Sequence, residues 1–417
     1  MGYFDPPAEQ PYRQLGWNDV NTEEAQKLAY RAAAEGIVLL KNDGLLPLDA
    51  SITKVAVIGP WANATAMMQG NYKGPAPFLV SPYDAAQTAG YETSYALGTD
   101  VNSTSRSGFA EALAAAQDAD LVVYAGGIAN RIIEGETLDR TSIAWPGNQL
   151  ELIDELAELG KPLVVLQFGG GQVDDTPIKE SDSVRRLRSI MSLPELQQVN
   201  AILWAGYPGQ SGGTAVFDIL MGIVAPAGRL VTTQYPAEYT DQVPMTDMNL
   251  RPSATNPGRT YQWYTGTPVY EFGYGLHYTN FTYAWASPPA ESYDIQALEL
   301  GEVTDLTVLD TLEVEVTNVG GVASDYVALL FVNGTHGPEP YYNKKLVAYT
   351  RLFGVDGKAT AELSVTLGSL ARSDDLGNSW LYPGQYNVLF DVTGELSATF
   401  ELTGEALQLS EWPQPRS

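Results

Sequence analysis

Between Gly126 and Arg140 the chain gathers three carboxylates, Glu134, Glu136 and Asp139, and two arginines, Arg131 and Arg140. The carboxylates stand among Ile132, Ile133 and Leu138 and are flanked by glycine. Apolar neighbours that keep water from a carboxyl raise its pKa toward the range of a general acid. The same residues also fit a solvated loop with a local Asp139–Arg140 or Glu–Arg pair, of the kind common on protein surfaces. Other chemistries have little material. There is no Cys, which excludes disulfides, thiolate zinc sites and a cysteine nucleophile. Only two histidines, His277 and His336, are present, too few for a histidine metal site or a convincing Ser-His triad. Polar chemistry in this chain falls to carboxylates.

A second candidate, Gly169-Gly170-Gly171, lacks the Gly-x-x-x-x-Gly-Lys spacing of a phosphate loop. It fits better as a turn where the backbone is approached closely. Trp61, Tyr72, Trp145, Trp204, Tyr207, Trp263 and Tyr274 supply aromatic surface, some suited to sugars and most expected in cores. Trp145, before Pro146-Gly147, is expected to pack at a helix start. Tyr274 and His277 are expected at a junction between domains. The tripeptides beginning at Asn63, Asn102, Asn280 and Asn333 match the N-glycosylation pattern and, with the acidic composition, lean toward a secreted protein.

The elements that must position the charged loop are legible around it. Leu121–Ala125 is a continuous apolar run, so the loop leaves the carboxyl end of a buried strand, where parallel α/β sheets bind ligands. Val55–Gly59, Pro162–Leu166 and Ala201–Ala205 are similar runs. Helical patterns lie between them at Phe109–Ala116 and Gln149–Leu159, and an earlier helix starts at Asn21 or Thr22 with apolar Ala25, Leu28, Ala29 and Ala32. The middle of the chain is therefore a layered α/β domain with a parallel sheet. Residues 236–260 are rich in Pro, Asn, Thr and Asp and form a long loop or linker. Beyond Thr279 short alternating strands, among them Leu312–Thr317, Tyr326–Val332 and Tyr386–Val392, indicate an all-β sandwich of immunoglobulin or fibronectin type.

With 417 residues, 44% of them hydrophobic, the chain can bury a large core over two or three domains. Its net charge of −27 argues against a nucleic-acid partner. No apolar run reaches the ~18 residues that span a bilayer, which excludes a membrane helix. Met1 is followed by Gly-Tyr-Phe-Asp-Pro-Pro and not by a signal peptide.

Several strings together carry a family resemblance: Gly2–Pro6, Glu35-Gly-Ile-Val-Leu-Leu-Lys-Asn42, Gly59-Pro-Trp-Ala-Asn63, Met68-Gln-Gly-Asn-Tyr72, Trp145-Pro-Gly-Asn-Gln149, Trp204–Gln210, Pro257-Gly-Arg-Thr-Tyr261 and Tyr270–Tyr278. The chain resembles the C-terminal part of glycoside hydrolase family 3, in its fungal β-xylosidase branch. That resemblance implies a TIM barrel, an α/β sandwich and a fibronectin type III-like domain, acting as an exo-1,4-β-xylosidase that releases xylose from xylo-oligosaccharides with retention. No cofactor and no metal is implied. The family's nucleophile is an Asp of the barrel and its acid/base a Glu on a loop of the α/β sandwich. In this branch the acid/base stands three residues before an Asp or Ser that precedes Arg. Glu136-Thr-Leu-Asp139-Arg140 has that spacing, so Glu136 is the candidate acid/base and Glu134 the runner-up.

The implied division is an arm at 1–21 following an absent barrel, an α/β sandwich at 22–235, a linker at 236–278, a fibronectin type III-like domain at 279–405 and a tail at 406–417. The partners are then a xylo-oligosaccharide and the missing N-terminal TIM-barrel domain; the isolated chain is expected to be inactive, and the whole protein secreted and extracellular. A non-catalytic sugar-binding or structural fragment is the alternative. Two departures from the family stand out. Ala129 replaces the Asp usual in related xylosidases. Residues 176–198, with Arg185, Arg186 and Arg188, have no counterpart, as for a surface insertion or translated intron.

Overall fold

The structure is a computed structural model that describes residues 4–179, 199–298 and 303–413. Most of the expected 176–198 insertion lies outside the described residues; its first residues, Thr176–Lys179, form a helical turn. Helix α1 (Glu23–Gly36) is capped by Thr22, whose hydroxyl accepts from the Ala25 amide at 3.2 Å. Glu23 and Glu24 sit in its first turn, where carboxylates oppose the helix dipole favourably. The buried side of α1 is Ala33 and Ala34, and Tyr30 donates to Asp218 at 2.5 Å. Leu28, expected on that face, is 65% exposed.

A six-stranded sheet follows, made of β1 (Val38–Asn42), β2 (Lys54–Ile58), β3 (Glu92–Ala96), β4 (Leu121–Gly127), β5 (Leu163–Phe168) and β6 (Ala201–Gly206). Its order is β1-β6-β5-β4-β2-β3. Strands β2 to β6 are parallel, as their continuous apolar runs imply, and β4 and β5 are buried along their whole length. The edge strand β1 instead runs antiparallel to β6. That direction returns the chain to the end of the sheet where β2 begins, so residues 43–53 connect them without a crossover helix. Helices α2 (Pro82–Thr88), α3 (Phe109–Gln117) and α4 (Gln149–Ala157) make the crossovers. Going from β2 the chain steps outward to β3, then back across to β4. The sheet therefore has a topological switch point between β2 and β4, the place where doubly wound folds bind ligands.

The second body is a sandwich. One sheet has the order β11-β10-β15-β16-β8 and the other β12-β9-β7. The strands are β7 (Phe281–Ser287), β8 (Ser292–Asp294), β9 (Val308–Asn318), β10 (Ser324–Asn333), β11 (Lys345–Val355), β12 (Lys358–Thr366), β15 (Gly384–Phe390) and β16 (Leu396–Thr403). Alternation places Leu312, Val314 and Val316 of β9 inside against Tyr386, Val388 and Phe390 of β15. A small ribbon pairs β13 (Arg372–Ser373) and β17 (Leu407–Ser410) with β14 (Ser379–Leu381). Part of the expected tail is thus a paired strand.

The stretch 236–278 is packed, with Tyr239, Trp263 and Tyr270 buried. Leu276 donates its amide to Leu39 at 2.9 Å, and Gln234 pairs with Tyr270. The two bodies meet at Arg229, which reaches Asp391 at 3.0 Å and lies over the Tyr326 ring. Tyr326 also donates to Asp391, and His277 stacks on Tyr326 while its Nδ1 lies 3.4 Å from Ser324 Oγ. Tyr274 donates to the Leu40 carbonyl at 3.2 Å. His277 thus sits at the joint, whereas Tyr274 packs against the core of the sheet domain.

Burial opposes the charge of Asp391, but Arg229 and the Tyr326 hydroxyl outweigh it, and the carboxyl titrates below its usual range. Its stabilisation is present above about pH 4 and lost as pH falls through the lowered value. Removing one partner of a buried pair leaves the other uncompensated, at a cost of about 3–5 kcal/mol. Asp391→Ala is expected to lower stability by that amount in urea unfolding at pH 7, and by less at pH 3.

Candidate active site

Three glycines shape the carboxyl ends of the strands around the switch point. Gly59, Gly127 and Gly169, which follow or end β2, β4 and β5, have φ of 112°, 119° and 119°. A Cβ at Gly59 would lie 2.4 Å from the Ala125 carbonyl oxygen, and one at Gly127 would lie 2.2 Å from that of Phe168. Only glycine permits both the backbone angle and the approach. The loop that follows Gly127 is closed by Gln149, the first residue of α4. Its Oε1 accepts from the Gly127 amide at 2.9 Å, and its Nε2 donates to Gly127 and Val101 carbonyls at 2.8 Å each. Entry and exit of the loop are therefore held by one buried amide side chain.

Within the loop, Ile128 and Ala129 are buried, and the Ala129 carbonyl accepts from the Ile133 amide at 3.2 Å. Arg131 and Thr137 have positive φ, a conformation costly for residues with a Cβ, and they bracket the two glutamates. The glutamates take different partners. Glu134 is half-buried; its Oε1 accepts from the Tyr207 hydroxyl and from the Gly170 amide at 3.2 Å. Arg140 lies beside it and donates to the Gln172 carbonyl at 2.8 Å. Burial holds the Arg140 pKa below its ordinary value, with the charge of Glu134 opposing. For Tyr207, burial and then the bond to Glu134 push the phenol well above its ordinary range. Glu136 is exposed and accepts from the Tyr72 hydroxyl, which that bond raises.

The structure thus brings Glu134 and Glu136 to one site and gives them unlike surroundings. Glu134 is anchored by a phenol, a backbone amide and a nearby guanidinium. Glu136 presents an accessible carboxylate with a single phenol donor. Asp139 is exposed. Arg140 is turned toward Glu134 and Gln172, in place of the local Asp139–Arg140 pair. The Gly169–Gly171 turn serves close approach, as its composition suggested: a Cβ at Gly170 would meet the Tyr207 ring at 3.0 Å, and one at Gly171 the Arg140 guanidinium at 2.9 Å.

The floor under these groups is aromatic. Trp61 stacks on Phe168 at 4.8 Å and tilts against Tyr207 at 6.0 Å. Gly70 lies against the same Cδ2–Cε2 edge of the Tyr207 ring, which leads the Met68–Tyr72 stretch toward Glu136. Tyr207, Gln149 and Asp175 carry roles that residue type and spacing did not reveal. Asp175 is fully buried and accepts from Trp145 Nε1 at 3.2 Å and from the Gln167 amide. Trp145 is buried as expected, and its bond to Asp175 ties the exit limb of the loop to the chain beyond β5.

Residues 37–278 match the Glycosyl hydrolase family 3 C-terminal domain. The chain belongs to glycoside hydrolase family 3. Within the family it is similar to a probable exo-1,4-beta-xylosidase of Aspergillus terreus, 50% identical over 99% of this chain and 51% of the relative. One of Aspergillus fumigatus is 52% identical over 100% of this chain and 53% of its own length. The chain spans about half the length of the curated relatives it matches. A family 3 exo-beta-xylosidase solved with a xylobiose aziridine activity-based probe superposes with a TM-score of 0.91 at 50% identity, covering 99% of this chain and 53% of that one. A Listeria innocua β-glucosidase solved with isofagomine shares the fold, with a TM-score of 0.73 at 24% identity.

Burial pushes the Asp175 carboxyl up to about 7, against hydrogen bonds from Gln167 and Trp145 that favour its charged form. The unfolded group titrates near 3.9, so the folded state favours the protonated form. Its contribution to stability is fully present below about pH 4 and lost as pH rises through about 7. Asp175→Asn keeps an acceptor for Trp145 and removes the titration. Relative to the variant, the parent chain is expected to lose on the order of 4 kcal/mol between pH 4 and pH 8. Thermal unfolding across that range is the measurement; parallel profiles for the two chains would overturn the assignment.

Proposed function

We propose that this chain forms part of an exo-1,4-β-xylosidase acting on xylo-oligosaccharides with retention, and that Glu136 is its acid/base. The observation that carries the assignment is the exposed Glu136 carboxylate at the switch point, two residues from a glutamate already committed to Tyr207 and Gly170. In the first step Glu136 donates its proton to the glycosidic oxygen as a carboxylate nucleophile attacks the anomeric carbon and the leaving sugar departs. In the second, Glu136 takes a proton from the water that displaces the nucleophile. The two carboxyls must stand ~5–5.5 Å apart across the sugar. As the family resemblance implies, the nucleophile is assigned to an Asp of a TIM-barrel domain, the N-terminal partner. Tyr72 fixes the Glu136 carboxylate laterally, and Tyr207 with Arg140 fixes the loop through Glu134.

In the same proposal the chain divides into an arm at 1–21, the α/β sandwich at 22–235, a packed linker at 236–278, a fibronectin type III-like domain at 279–405 and a short tail. Antiparallel sheets with alternating burial support the type III-like assignment. The whole enzyme is proposed to be secreted and glycosylated. Asn63, Asn102 and Asn280 are exposed acceptors, whereas the Asn333 amide donates to the Asn343 carbonyl at 3.2 Å. No helix among the described residues is long and apolar enough to cross a membrane.

Joining residues 1–417 to the N-terminal half of the Aspergillus fumigatus relative is expected to yield hydrolysis of an aryl β-xyloside, while 1–417 alone gives none. In the joined enzyme Glu136→Gln should cost about 10²–10⁴-fold in kcat/KM for an unactivated xyloside. With an aryl xyloside whose leaving group departs without protonation, azide should restore turnover as xylosyl azide, because it attacks the glycosyl-enzyme without a general base. Glu134→Gln is expected to act through the loop, without azide rescue. Turnover by 1–417 alone, or azide rescue of Glu134→Gln only, would reverse these roles.

A further inference from the structure

Beside the loop after β4 lies an open groove of about 370 Å³ that neither Glu134 nor Glu136 lines. Ile132, Leu138 and Pro146 form its apolar wall, and Asp139 and Ser142 supply oxygens. Asn102 joins the lining from the segment that follows β3. Ile132 and Leu138 are 47% and 40% exposed. Apolar residues scattered singly over a surface are ordinary, but these two share one concave face. They also flank the two glutamates, on a loop that holds Arg131 and Thr137 at positive φ. A cover over this groove would steady that loop.

Asn102 opens the tripeptide Asn102-Ser103-Thr104, the acceptor pattern for an N-linked glycan. The backbone on either side of it is pinned. The Val101 carbonyl accepts from Gln149 Nε2 at 2.8 Å, and the Ser103 carbonyl accepts from the Asn148 amide at 2.8 Å. A Cβ at Gly147 would lie 2.4 Å from that Ser103 oxygen, so the two segments are in close contact. The Asn102 side chain itself is exposed and takes no hydrogen bond among the described residues. Asn333 differs: its amide donates to the Asn343 carbonyl at 3.2 Å, and its oxygen accepts from Asn387 at 3.0 Å. Asn102 is a free amide on a fixed backbone, at the rim of an uncovered groove.

We propose that Asn102 carries an N-linked glycan whose first sugars lie in this groove and cover Ile132 and Leu138. In the transfer, Asn102 Nδ2 attacks the anomeric carbon of a lipid-linked oligosaccharyl pyrophosphate. The C–N bond forms as the C–O bond to the pyrophosphate breaks. The amide proton passes to a base, and the lipid pyrophosphate leaves. The first sugar, a neutral N-acetylhexosamine, sets an apolar ring face against the wall and donates hydroxyls toward Asp139 and Ser142. Weak contacts suffice, because a short covalent tether holds the sugar at an effective concentration of the order of mM. Since neither glutamate lines the groove, the glycan braces the loop without filling the candidate site. The proposal rests on the reading that the whole enzyme is secreted and glycosylated; the free amide and the groove give the place.

Chain 1–417, secreted from yeast behind a cleavable leader, provides the test. Its tryptic peptide 74–106 contains Asn102 and no other acceptor. Mass spectrometry of that peptide is expected to show glycan masses that collapse on enzymatic release, with Asn102 converted to Asp. Limited trypsin cleavage of the native chain after Arg131 then reads the loop, with bacterially made chain of the same sequence as the unglycosylated reference. The secreted parent should be cut about tenfold more slowly than its bacterial counterpart. Thr104→Ala, which removes the acceptor pattern, should bring that ratio to about one. Leu138→Ser, which keeps the glycan and removes its support, should lower it most of the way. Each ratio compares one sequence with itself, so a variant that loosens the fold does not mimic the effect. Glycans at Asn63 or Asn280 with none at Asn102 would overturn the proposal and leave the secreted reading intact. Absence of glycan from every acceptor would overturn both. A glycan at Asn102 that gives no protection, or protection that survives Leu138→Ser, would set the sugars outside the groove and overturn their assigned place.

Discussion

Where β2, β4 and β5 end side by side, their backbones lie closer together than any side chain permits. The hypothetical Cβ of Gly59 overlaps the carbonyl of Ala125, that of Gly127 overlaps Phe168, and that of Gly169 falls 2.2 Å from Ile128 Cγ1. This contact chain runs across the switch point from one strand to the next. It lets Trp61 slide onto Phe168, brings Tyr207 against Trp61, and sets the height at which Glu134 meets the Gly170 amide. A methyl group at any of the three positions would force the strand ends apart and move every group above them. The glutamates are thus located by the absence of side chains beneath them.

Electrostatics divides the molecule in two. The surface carries many of the acidic residues, while three shielded arginines sit where segments must be fixed. Arg229 joins the sheet domain to Asp391 of the sandwich, Arg351 bonds to Asp325 at 2.8 Å, and Arg140 ties the loop after β4 to the Gln172 carbonyl. Each is partly or wholly shielded from water, where a guanidinium fork gains most from a planar carboxylate or carbonyl partner. Net charge alone says nothing of this arrangement.

Much of the fold was legible because buried parallel strands leave continuous apolar runs, and β4 and β5 are such runs. The direction of β1 was not legible, since an apolar strand has the same composition whichever way it points. Nor was the buried face of α1, where small alanines face the core and the larger Leu28 faces outward. At the site, the charged loop stood out by composition, and family resemblance ordered Glu136 before Glu134. What separated their surroundings came from Tyr72 and Tyr207, 64 and 73 residues away in sequence. Contacts of that span leave no periodic trace. The same holds for Asp175, whose burial depends on Trp145 and Gln167 meeting it from two different segments.

The clamp formed by Gln149 has a consequence for how this loop can change. Because one side chain fixes both entry and exit, the span between them is a replaceable cassette, hung on the sheet without contributing a strand to it. Lengthening a closed loop costs little, roughly 0.6 kcal/mol for each doubling. Residues can therefore be gained or lost around Arg131 and Gly135 while the scaffold beneath stays unchanged. A single amide lets the scaffold be inherited while the reach of the loop's carboxylates is adjusted separately.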